Sequence, residues 1–379
     1  MTLRILHTAD WQLGKPFHNV PGDAGALLRE ARFEAVRRIA DLAARYEVAA
    51  VLVAGDVFDS NLAADRTVLQ ALAAMRAFQG PWILLPGNHD AALAESVWTR
   101  FERLGCPPGC RIARMPEPVT LADGRLVVLP APLTERHTLD DLTAWMDEAR
   151  TPAGAVRVGL AHGSVAGRLP DAADAPNPIA ADRAVTARLD YLALGDWHGA
   201  LEIAPRTWYA GTPEPDRFKD NGAGHVLLVE IEGPGAVPRV TRLPVASYVW
   251  QDLVVDLTAT DAGDDPAGRI DRALTTTSRP ERRIVRLTLR GAVDLAGRLA
   301  VEAALERWRG ELCHLELEDE LVAEPSERDL LQLGDAPVIG RAARELSSLV
   351  RAGDAEERTA AALALRFLYL EAGRLERRR

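Results

Sequence analysis

The chain has 379 residues, of which 47% are hydrophobic and 26% charged, and its formal net charge at pH 7 is −10. This is the composition of a globular protein, and the length exceeds what one compact domain usually holds. The negative charge argues against a protein that coats nucleic acid without specificity, but not against a nuclease, whose metal ions and local arginine clusters set the field where it matters.

The sequence predicts neither a membrane span nor a secretory signal. No apolar run approaches the roughly 20 residues of a membrane span, and the N-terminus lacks a charged region followed by an apolar one. We therefore expect a cytoplasmic protein. Three cysteines cannot form a paired disulfide framework, and the run Cys106-Pro-Pro-Gly-Cys110 lacks two further ligands for zinc, so the cysteines are interpreted as incidental thiols.

Up to about residue 245, predicted strands alternate with predicted helices. The strands are 4–6, 50–54, 82–85, 126–129, 158–161, 191–194, 207–210, 225–231 and 239–243. The helices are 28–46, 63–78, 92–104, 139–149 and 182–188, the last after a loop broken by Pro170, Pro176 and Pro178. This order predicts a layered α/β domain, in which strands 225–231 and 239–243 complete a second sheet.

The composition changes near residue 245. Residues 246–320 alternate strand and helix as β-α-β-α-β, which predicts a small separate domain without a catalytic cluster. Residues 321–379 comprise a bridge rich in proline and acidic residues, extending to about 340, and two helices. Asp354 and Glu357 form a capping-box pattern, and an apolar stripe follows at Leu363, Phe367 and Leu370.

Five of the predicted buried strands run directly into polar side chains. Ligands gather beyond the carboxyl ends of strands in sheets covered by helices, so we expect these side chains to converge on a metal site. Taken alone, a run such as Gly87-Asn88-His89-Asp90 favours a tight turn, in which Asn and Asp are common; its recurrence at five strand ends favours the metal site. The side chains are Asp10 and Gln12; Asp56 and Asp59; Asn88, His89 and Asp90; His162; and Asp196 and His198.

The ordered motifs D-x-Q, G-D-x-x-D, G-N-H-D, a lone His and G-D-x-H resemble those of the calcineurin-like metallophosphoesterases, whose pattern is D-x-H, G-D, G-N-H, H and G-H-x-H. Within that superfamily, runs 5–10, 55–59, 87–90 and 209–214 are similar to the SbcD-type nuclease subunits of bacterial double-strand-break repair complexes. The resemblance covers about residues 1–245. It implies a two-sheet αββα sandwich, followed by a small α/β capping domain and a C-terminal helical tail.

The resemblance also implies two metal ions and their ligands. One ion would bind Asp10, Gln12, Asp56 and His198, and the other Asp56, Asn88, His162 and Asp196, with Asp56 bridging. His89 would lie beside the scissile phosphate, stabilising charge or protonating the departing 3′ oxygen. Asp59 would orient His89 or the substrate.

Two positions depart from the family pattern, since Gln12 and Asp196 each stand where the family has histidine. The site gains oxygen donors, which favour Mn²⁺, or Mg²⁺ as the alternative, over Zn²⁺. The Gln12 ion is expected to bind weakly. A degenerate, inactive site is the rival interpretation, although no ligand has become Ala or Gly.

Several neighbouring residues have two interpretations each. Lys15 suits a phosphate contact or a solvated loop. Trp11 and Trp197, inside the first and last motifs, suit core packing or a stacking wall for an unpaired base. His7 suits a support for a metal ligand or a buried core histidine.

The resemblance predicts a Mn²⁺-dependent 3′→5′ DNA exonuclease that also cleaves single-stranded DNA as an endonuclease. It predicts a cytoplasmic location in association with the nucleoid. The implied partner is an SbcC-like coiled-coil ATPase docking on the C-terminal helices, which alternatively pack on the chain itself. A homodimer through the nuclease domain is expected. The alternatives are a phosphodiesterase or phosphatase for a smaller substrate and a non-catalytic scaffold.

Overall fold

The computed structural model describes residues 2–169, 176–258, 265–275, 279–323 and 337–376. The chain divides into two compact units, Met1–Val249 and Trp250–Arg379. Pro170 and the central part of the predicted bridge, residues 324–336, lie outside the described residues, as does the side chain of Leu370.

The first unit holds fourteen strands and four α-helices among its described residues. The strands are β1 Leu3–Thr8, β2 Ala50–Val53, β3 Trp82–Leu84, β4 Cys110–Ile112, β5 Val119–Leu121, β6 Leu126–Ala131, β7 Val156–His162, β8 Ser164–Val165, β9 Pro178–Ile179, β10 Tyr191–Gly195, β11 Leu201–Ala204, β12 Thr207–Tyr209, β13 His225–Ile231 and β14 Arg239–Pro244. The helices are α1 Asp23–Arg45, α2 Asp65–Met75, α3 Val97–Arg103 and α4 Arg183–Thr186.

Most strands of the first unit form two six-stranded sheets. The first has the order β14-β13-β1-β2-β3-β4 and the second β11-β12-β10-β7-β6-β5. β1 lies parallel to β2 and antiparallel to β13, so that Leu6 pairs with Val51 on one side and Leu228 on the other. The prediction that 225–231 and 239–243 complete the second sheet is therefore wrong. The alternating apolar pattern predicts a strand but does not say which sheet edge the strand joins.

Buried side chains fill three layers around these two sheets. One cluster, including Val36 and Trp82, lies between the first sheet and the helices α1 to α3. A second, including Ile5 and Leu160, lies between the two sheets. A third, including Met146 and Leu192, covers the far face of the second sheet. The predicted two-sheet αββα arrangement is confirmed, and it explains why the central strands are apolar on both faces.

Two predicted helices of the first unit are shorter than expected. Helix 92–104 is reduced to α3, and helix 139–149 to a 3₁₀ turn at Ala144–Asp147. Asp141 explains the second case. Its carboxylate accepts from the backbone N–H of Thr143 at 2.8 Å and of Ala180 at 3.0 Å, and pairs with Arg183 at 2.8 Å. An aspartate bound in this way competes with helix formation at its own position.

The second unit begins with the predicted β-α-β-α-β order. Its elements are β15 Val249–Asp256, α5 Pro266–Leu274, β16 Arg283–Arg290, β17 Ala292–Val293, α6 Leu295–Glu311, β18 His314–Asp319, β19 Val322–Ala323, α7 Pro337–Ala352 and α8 Ala355–Glu376. Asp265 and Asp294 cap α5 and α6, accepting from the N–H of Gly268 at 2.9 Å and of Gly297 at 2.7 Å. β15, β16 and β18 form a three-stranded sheet.

The last two helices pack against each other. The capping box is confirmed, because Asp354 accepts from the N–H of Glu357 at 2.9 Å and Glu357 accepts from that of Asp354 at 3.1 Å. Leu365 is buried with Ala343, whereas Leu363 and Phe367 are 52% and 59% exposed.

Within the described residues, every helix is too short or too polar to cross a membrane.

Candidate metal centre

Three ligand-type side chains meet at the carboxyl ends of strands from both sheets. Asp10 follows β1, Asp56 follows β2 and His162 ends β7, and one ligand atom from each lies within 4.8 Å of the others. All three are buried. These three residues therefore converge, as expected from their positions at strand ends.

The backbone at the strand ends is in an unusual conformation. Asp10, Gln12, Asp56 and Asp196 have φ angles of 52°, 42°, 54° and 100°, in the left-handed region that non-glycine residues rarely adopt. Adjacent hydrogen bonds hold the turns, since the N–H of Asp10 donates to Gly55 at 3.1 Å and that of Gln12 to Asp56 at 2.9 Å. Such conformations persist where the surrounding structure fixes them, and they concentrate at functional sites.

His162 is oriented by the backbone of the first sheet. Its Nδ1 lies 2.8 Å from the carbonyl oxygen of Ala54. Its Nε2 is thereby directed at three oxygens, at 3.3 Å from Asn88 Oδ1, 3.5 Å from Asp56 Oδ1 and 3.7 Å from Asp196 Oδ1. Three of the other predicted ligands thus lie within 3.7 Å of this nitrogen.

Three carboxylates, those of Asp10, Asp56 and Asp196, act on the single imidazole of His162. Burial raises the pKa of Asp10 to about 6 and also raises the pKa of Asp196. Burial alone would lower the pKa of His162, but the carboxylates of Asp56, Asp196 and Asp10 outweigh it and raise the pKa to about 9. Buried carboxylates that crowd one imidazole form an oxygen-rich set suited to a divalent cation. The residues therefore fit the metal chemistry that their types predict.

Gln12 and His198 form a second part of the site with different contacts. Gln12 Nε2 lies 3.2 Å from His198 Nε2, and Gln12 Oε1 accepts from Lys15 Nζ at 3.1 Å. His198 Nδ1 lies 3.3 Å from Asp216 Oδ2 and 2.8 Å from Arg217 Nη2. Here the side chains contact one another rather than facing a common point.

Asp216 is a buried carboxylate that the sequence did not single out. It pairs with four cationic or imidazole side chains: Lys15, Arg32 at 3.4 Å, His198 and, through Oδ1, Arg217 Nε at 2.8 Å. Burial would raise the pKa of Asp216, but His198 and Arg32 hold it well below its usual range. In the sequence, Asp216 follows two prolines in Pro213-Glu214-Pro215 and has the pattern of an ordinary turn, so no local signal identified it.

His89 lies at the exposed side of the centre. Its Nε2 is 4.0 Å from Asp56 Oδ2, its side chain is 31% exposed, and its Nδ1 lies 2.9 Å from the backbone carbonyl oxygen of Asp59. Contact between Asp59 and His89 therefore runs through the main chain of Asp59.

Asp90 joins the two loops that carry these residues. Its carboxylate accepts from the N–H of Gly87 at 2.7 Å and of Phe58 at 3.0 Å. It is fully buried, and burial raises its pKa to about 7. In the sequence, Asp90 ends the predicted metal motif Gly87-Asn88-His89-Asp90, and its position there indicates no separate role.

The two tryptophans have different environments. Trp11 is fully buried, donates to Thr8 Oγ1 at 3.0 Å and packs edge-on against Trp82. The interpretation of Trp11 as a stacking wall is therefore wrong, because no face of it is open. Trp197 is partly exposed, with the Lys219 ammonium 4.5 Å from its ring centre.

His7 is a buried histidine between the sheets. Its ring nitrogens lie 2.9 Å from the Tyr191 hydroxyl and 3.1 Å from the carbonyl oxygen of Leu194, and burial lowers its pKa to about 3. These contacts are those of a neutral core histidine.

Residues 3–164 match the sequence profile of the family described as calcineurin-like phosphoesterase. The chain is also similar to three curated proteins over about two thirds of its length. An uncharacterized metallophosphoesterase, YhaO of Bacillus subtilis, is 26% identical over 270 residues, covering 68% of this chain and 64% of that protein. The SbcD component of the SbcCD nuclease of Rhodobacter capsulatus is 30% identical over 289 residues, covering 64% and 69%.

The DNA double-strand break repair protein Mre11 of Aeropyrum pernix is 27% identical over 266 residues, covering 64% of this chain and 61% of that protein. The chain thus spans less than two thirds of the length of YhaO and of this Mre11.

Proposed function

Because the chain belongs to the calcineurin-like phosphoesterase family, we propose that it is a metal-dependent nuclease that hydrolyses phosphodiester bonds in DNA. The observation that carries this proposal is the meeting of Asp10, Asp56 and His162 at three strand ends, with ligand atoms within 4.8 Å of one another. Such a buried, oxygen-rich group is suited to the divalent cations on which phosphoester hydrolysis depends.

The proposed ligands form two sets around Asp56. Asp10, Gln12, Asp56 and His198 would hold one Mn²⁺, and Asp56, Asn88, His162 and Asp196 would hold the other, with Mg²⁺ as the alternative ion. When bound, a pair of such ions supplies a hydroxide at neutral pH and neutralises charge on the attacking and leaving oxygens. Ala54 supports the second set, because its carbonyl oxygen holds the His162 ring in place.

His89 is proposed as the catalytic group beside the scissile phosphate. Its partial exposure leaves it accessible to substrate, and the Asp59 carbonyl accepts a hydrogen bond from Nδ1, directing Nε2 towards the centre. As an imidazolium, with a proton on each ring nitrogen, His89 can donate the Nε2 proton to the departing 3′ oxygen or stabilise its developing charge. Asp59 contributes to the orientation of His89 through its main chain.

DNA is proposed as the substrate for two reasons. Two relatives are named as a nuclease component and a double-strand break repair protein. In addition, positive side chains lie around the centre: Lys15 and Arg217 near His198, and Lys219 over Trp197. These suit backbone phosphates, and the exposed part of Trp197 suits an unpaired base. The proposed activity is a 3′→5′ exonuclease, with endonuclease cleavage of single-stranded DNA beside it.

The proposed partner is a coiled-coil ATPase of the SbcC type, in a repair complex of the nucleoid. Leu363 and Phe367 on α8 support this, because they leave an apolar face exposed four residues apart, as in helices that dock on other helices. A homodimer of the first unit belongs to the same proposal.

The decisive experiment compares cleavage of linear duplex DNA in Mn²⁺ by the wild type, His89→Ala and Asp56→Ala. We expect both variants to lose at least about a hundredfold in kcat, since they remove the proposed proton donor and the carboxylate that the two proposed ligand sets share. His137→Ala, an exposed histidine of the same unit, is the matched control.

The two alternatives give different results. Hydrolysis of bis(p-nitrophenyl) phosphate without DNA cleavage would identify a hydrolase of smaller phosphodiesters. Absence of both activities in saturating Mn²⁺ would identify a scaffold.

A further inference from the structure

The chain contains two lysines, and both lie at the candidate metal centre. Of 45 basic residues, only Lys15 and Lys219 are lysines. Lys15 contacts Gln12 and Asp216. Lys219 lies over the ring of Trp197, which stands between Asp196 and His198 in the sequence. An ammonium is a compact point charge with three donors, whereas a guanidinium is a planar fork, so lysine fits a narrow contact that arginine does not.

Lys15 determines which end of the Gln12 amide faces His198. An ammonium can only donate, so it must meet the carbonyl oxygen, and Gln12 Oε1 accepts from Nζ at 3.1 Å. The amide nitrogen then faces His198 Nε2 at 3.2 Å. An amide nitrogen is a donor and does not bind metal ions.

Asp216 keeps Lys15 in this position. Its side chain is 1% exposed, and it forms an ion pair with the Lys15 ammonium. Turning the Gln12 oxygen towards His198 would leave Lys15 without this acceptor and bring an amide N–H against a cation. The arrangement therefore opposes metal binding between Gln12 and His198.

At the position around His162, in contrast, the side-chain amide turns its oxygen inward. Asn88 presents its oxygen, 3.3 Å from His162 Nε2, and Asp56 and Asp196 direct carboxylate oxygens to the same nitrogen at 3.5 and 3.7 Å. An ion at this position would meet oxygen donors already facing it, which reduces the cost of rearrangement on binding.

We infer that Lys15 is a positioning residue that makes the two proposed metal positions unequal, by holding the Gln12 carbonyl oxygen away from the position that Gln12 shares with His198. This inference rests on the proposed function. It assigns tight binding to the His162 position and weak binding to the Gln12 position.

The test is a titration of the full-length, metal-free chain with Mn²⁺ and no DNA, in which electron paramagnetic resonance measures the unbound ion. We expect two classes of binding site, each holding one Mn²⁺, with dissociation constants at least about tenfold apart. Lys15→Met, which removes the charge but keeps the length, should tighten the weak class by about tenfold or more and leave the tight class within about threefold.

Lys219→Met is the matched control, because it removes the same charge from the candidate centre, where the ammonium lies over the Trp197 ring. It should leave the separation of the two classes within about threefold of wild type. If Lys15→Met shifts the weak class no more than Lys219→Met does, the effect is general electrostatics and the inference is wrong.

Gln12→His provides a second variant if Lys15→Met fails to fold. A histidine carries a ring nitrogen that binds metal without competing for Lys15, so the two classes should converge. Two equal classes in the wild type, or a weak class unchanged by Gln12→His, would overturn the inference while leaving DNA cleavage intact. Absence of any Mn²⁺ binding would overturn the proposed function itself.

Discussion

The backbone N–H of Asp196 donates to both carboxylate oxygens of Asp10, at 3.1 and 3.3 Å. Asp10 follows β1 of the first sheet and Asp196 follows β10 of the second, so this contact joins the strand ends of the two sheets. His162 and Ala54 form a second link between the same sheets, at 2.8 Å. The candidate centre therefore depends on how closely the two sheets approach.

Gly195→Ala tests this close approach. A Cβ at position 195 would overlap the carbonyl oxygen of Ala54 and lie 2.8 Å from the Ala9 Cβ. Because the obstacle includes backbone and cannot rotate away, we expect the free energy of unfolding to fall by about 2–4 kcal/mol. Urea denaturation of the metal-free protein measures the change.

Gly233→Ala is the control for this substitution, since a Cβ there meets no atom within 4 Å. Its free energy of unfolding should stay within about 0.5 kcal/mol of wild type. Equal stabilities for the two variants would contradict the role assigned to the sheet contact.

Asp90→Asn tests the link between the loops of Asp56 and His89. An asparagine offers one acceptor oxygen to two N–H donors, those of Gly87 and Phe58, and places its own amide N–H against the other. We expect a loss of about 2–3 kcal/mol in the free energy of unfolding. We also expect a lower kcat on DNA, because both loops carry proposed catalytic groups.

The measurements are urea denaturation and single-turnover cleavage. Asp41→Asn, at an exposed position on α1, is the control for the change of charge. A variant as stable and as active as Asp41→Asn would show that the two loops hold their positions without Asp90.

The sequence was sufficient to predict the residues at strand ends, because the residue that follows the carboxyl end of a strand can be identified from the order of the chain alone. Asp10, Asp56 and His162 follow from that rule alone. It could not predict the partners of those residues. Asp216 reaches His198 and Lys15 only through the folding of a turn that the sequence presents as ordinary. For Trp11 the sequence left core packing and a stacking wall both open, because a motif does not report burial, and the structure shows core packing.

The sheet assignment of β13 was wrong for a related reason. Period-two alternation identifies a strand, whereas its neighbour is decided by which edge the connecting chain can reach. Here β13 pairs with β1 over Leu3 to His7 and thereby fixes the strand that leads to Asp10.

Glu214 provides a prediction for pH. It is fully buried and accepts from the N–H groups of Ser247 at 2.7 Å and Tyr248 at 2.9 Å. Burial raises its pKa from 4.5 to about 7, opposed by those hydrogen bonds and by Arg32 and Arg38. Between these two values the folded chain holds a proton that the unfolded chain has released. The resulting stability is present at low pH and is lost as the pH rises through about 7.

Glu214→Gln has no proton to release. Its free energy of unfolding should therefore decrease less than that of wild type between about pH 5 and pH 8, by about 1–3 kcal/mol. Urea denaturation across this range gives the comparison, with Glu95→Gln as a control at an exposed position. Parallel curves for wild type and Glu214→Gln would exclude Glu214 as the titrating group.

Trp197→Ala tests whether DNA bases stack at the candidate centre. The ring is partly exposed, and Lys219 lies 4.5 Å from its centre, so a base on the open part of the ring would be close to a positive charge. Loss of one stacked base costs about 1–3 kcal/mol, and we expect KM for DNA with a single-stranded 3′ end to rise about fivefold to a hundredfold. kcat should change less, because the proposed ligands remain.

Trp197→Phe keeps an aromatic face and should retain most of the affinity. Trp11→Phe is the opposite control: since Trp11 is fully buried, this change should lower the free energy of unfolding and leave KM unchanged. Initial rates on substrates with and without a single-stranded end separate the effects. If Trp197→Ala raised KM equally for fully paired and single-stranded ends, the ring would be a general support of the centre, because stacking requires a base freed from its partner strand.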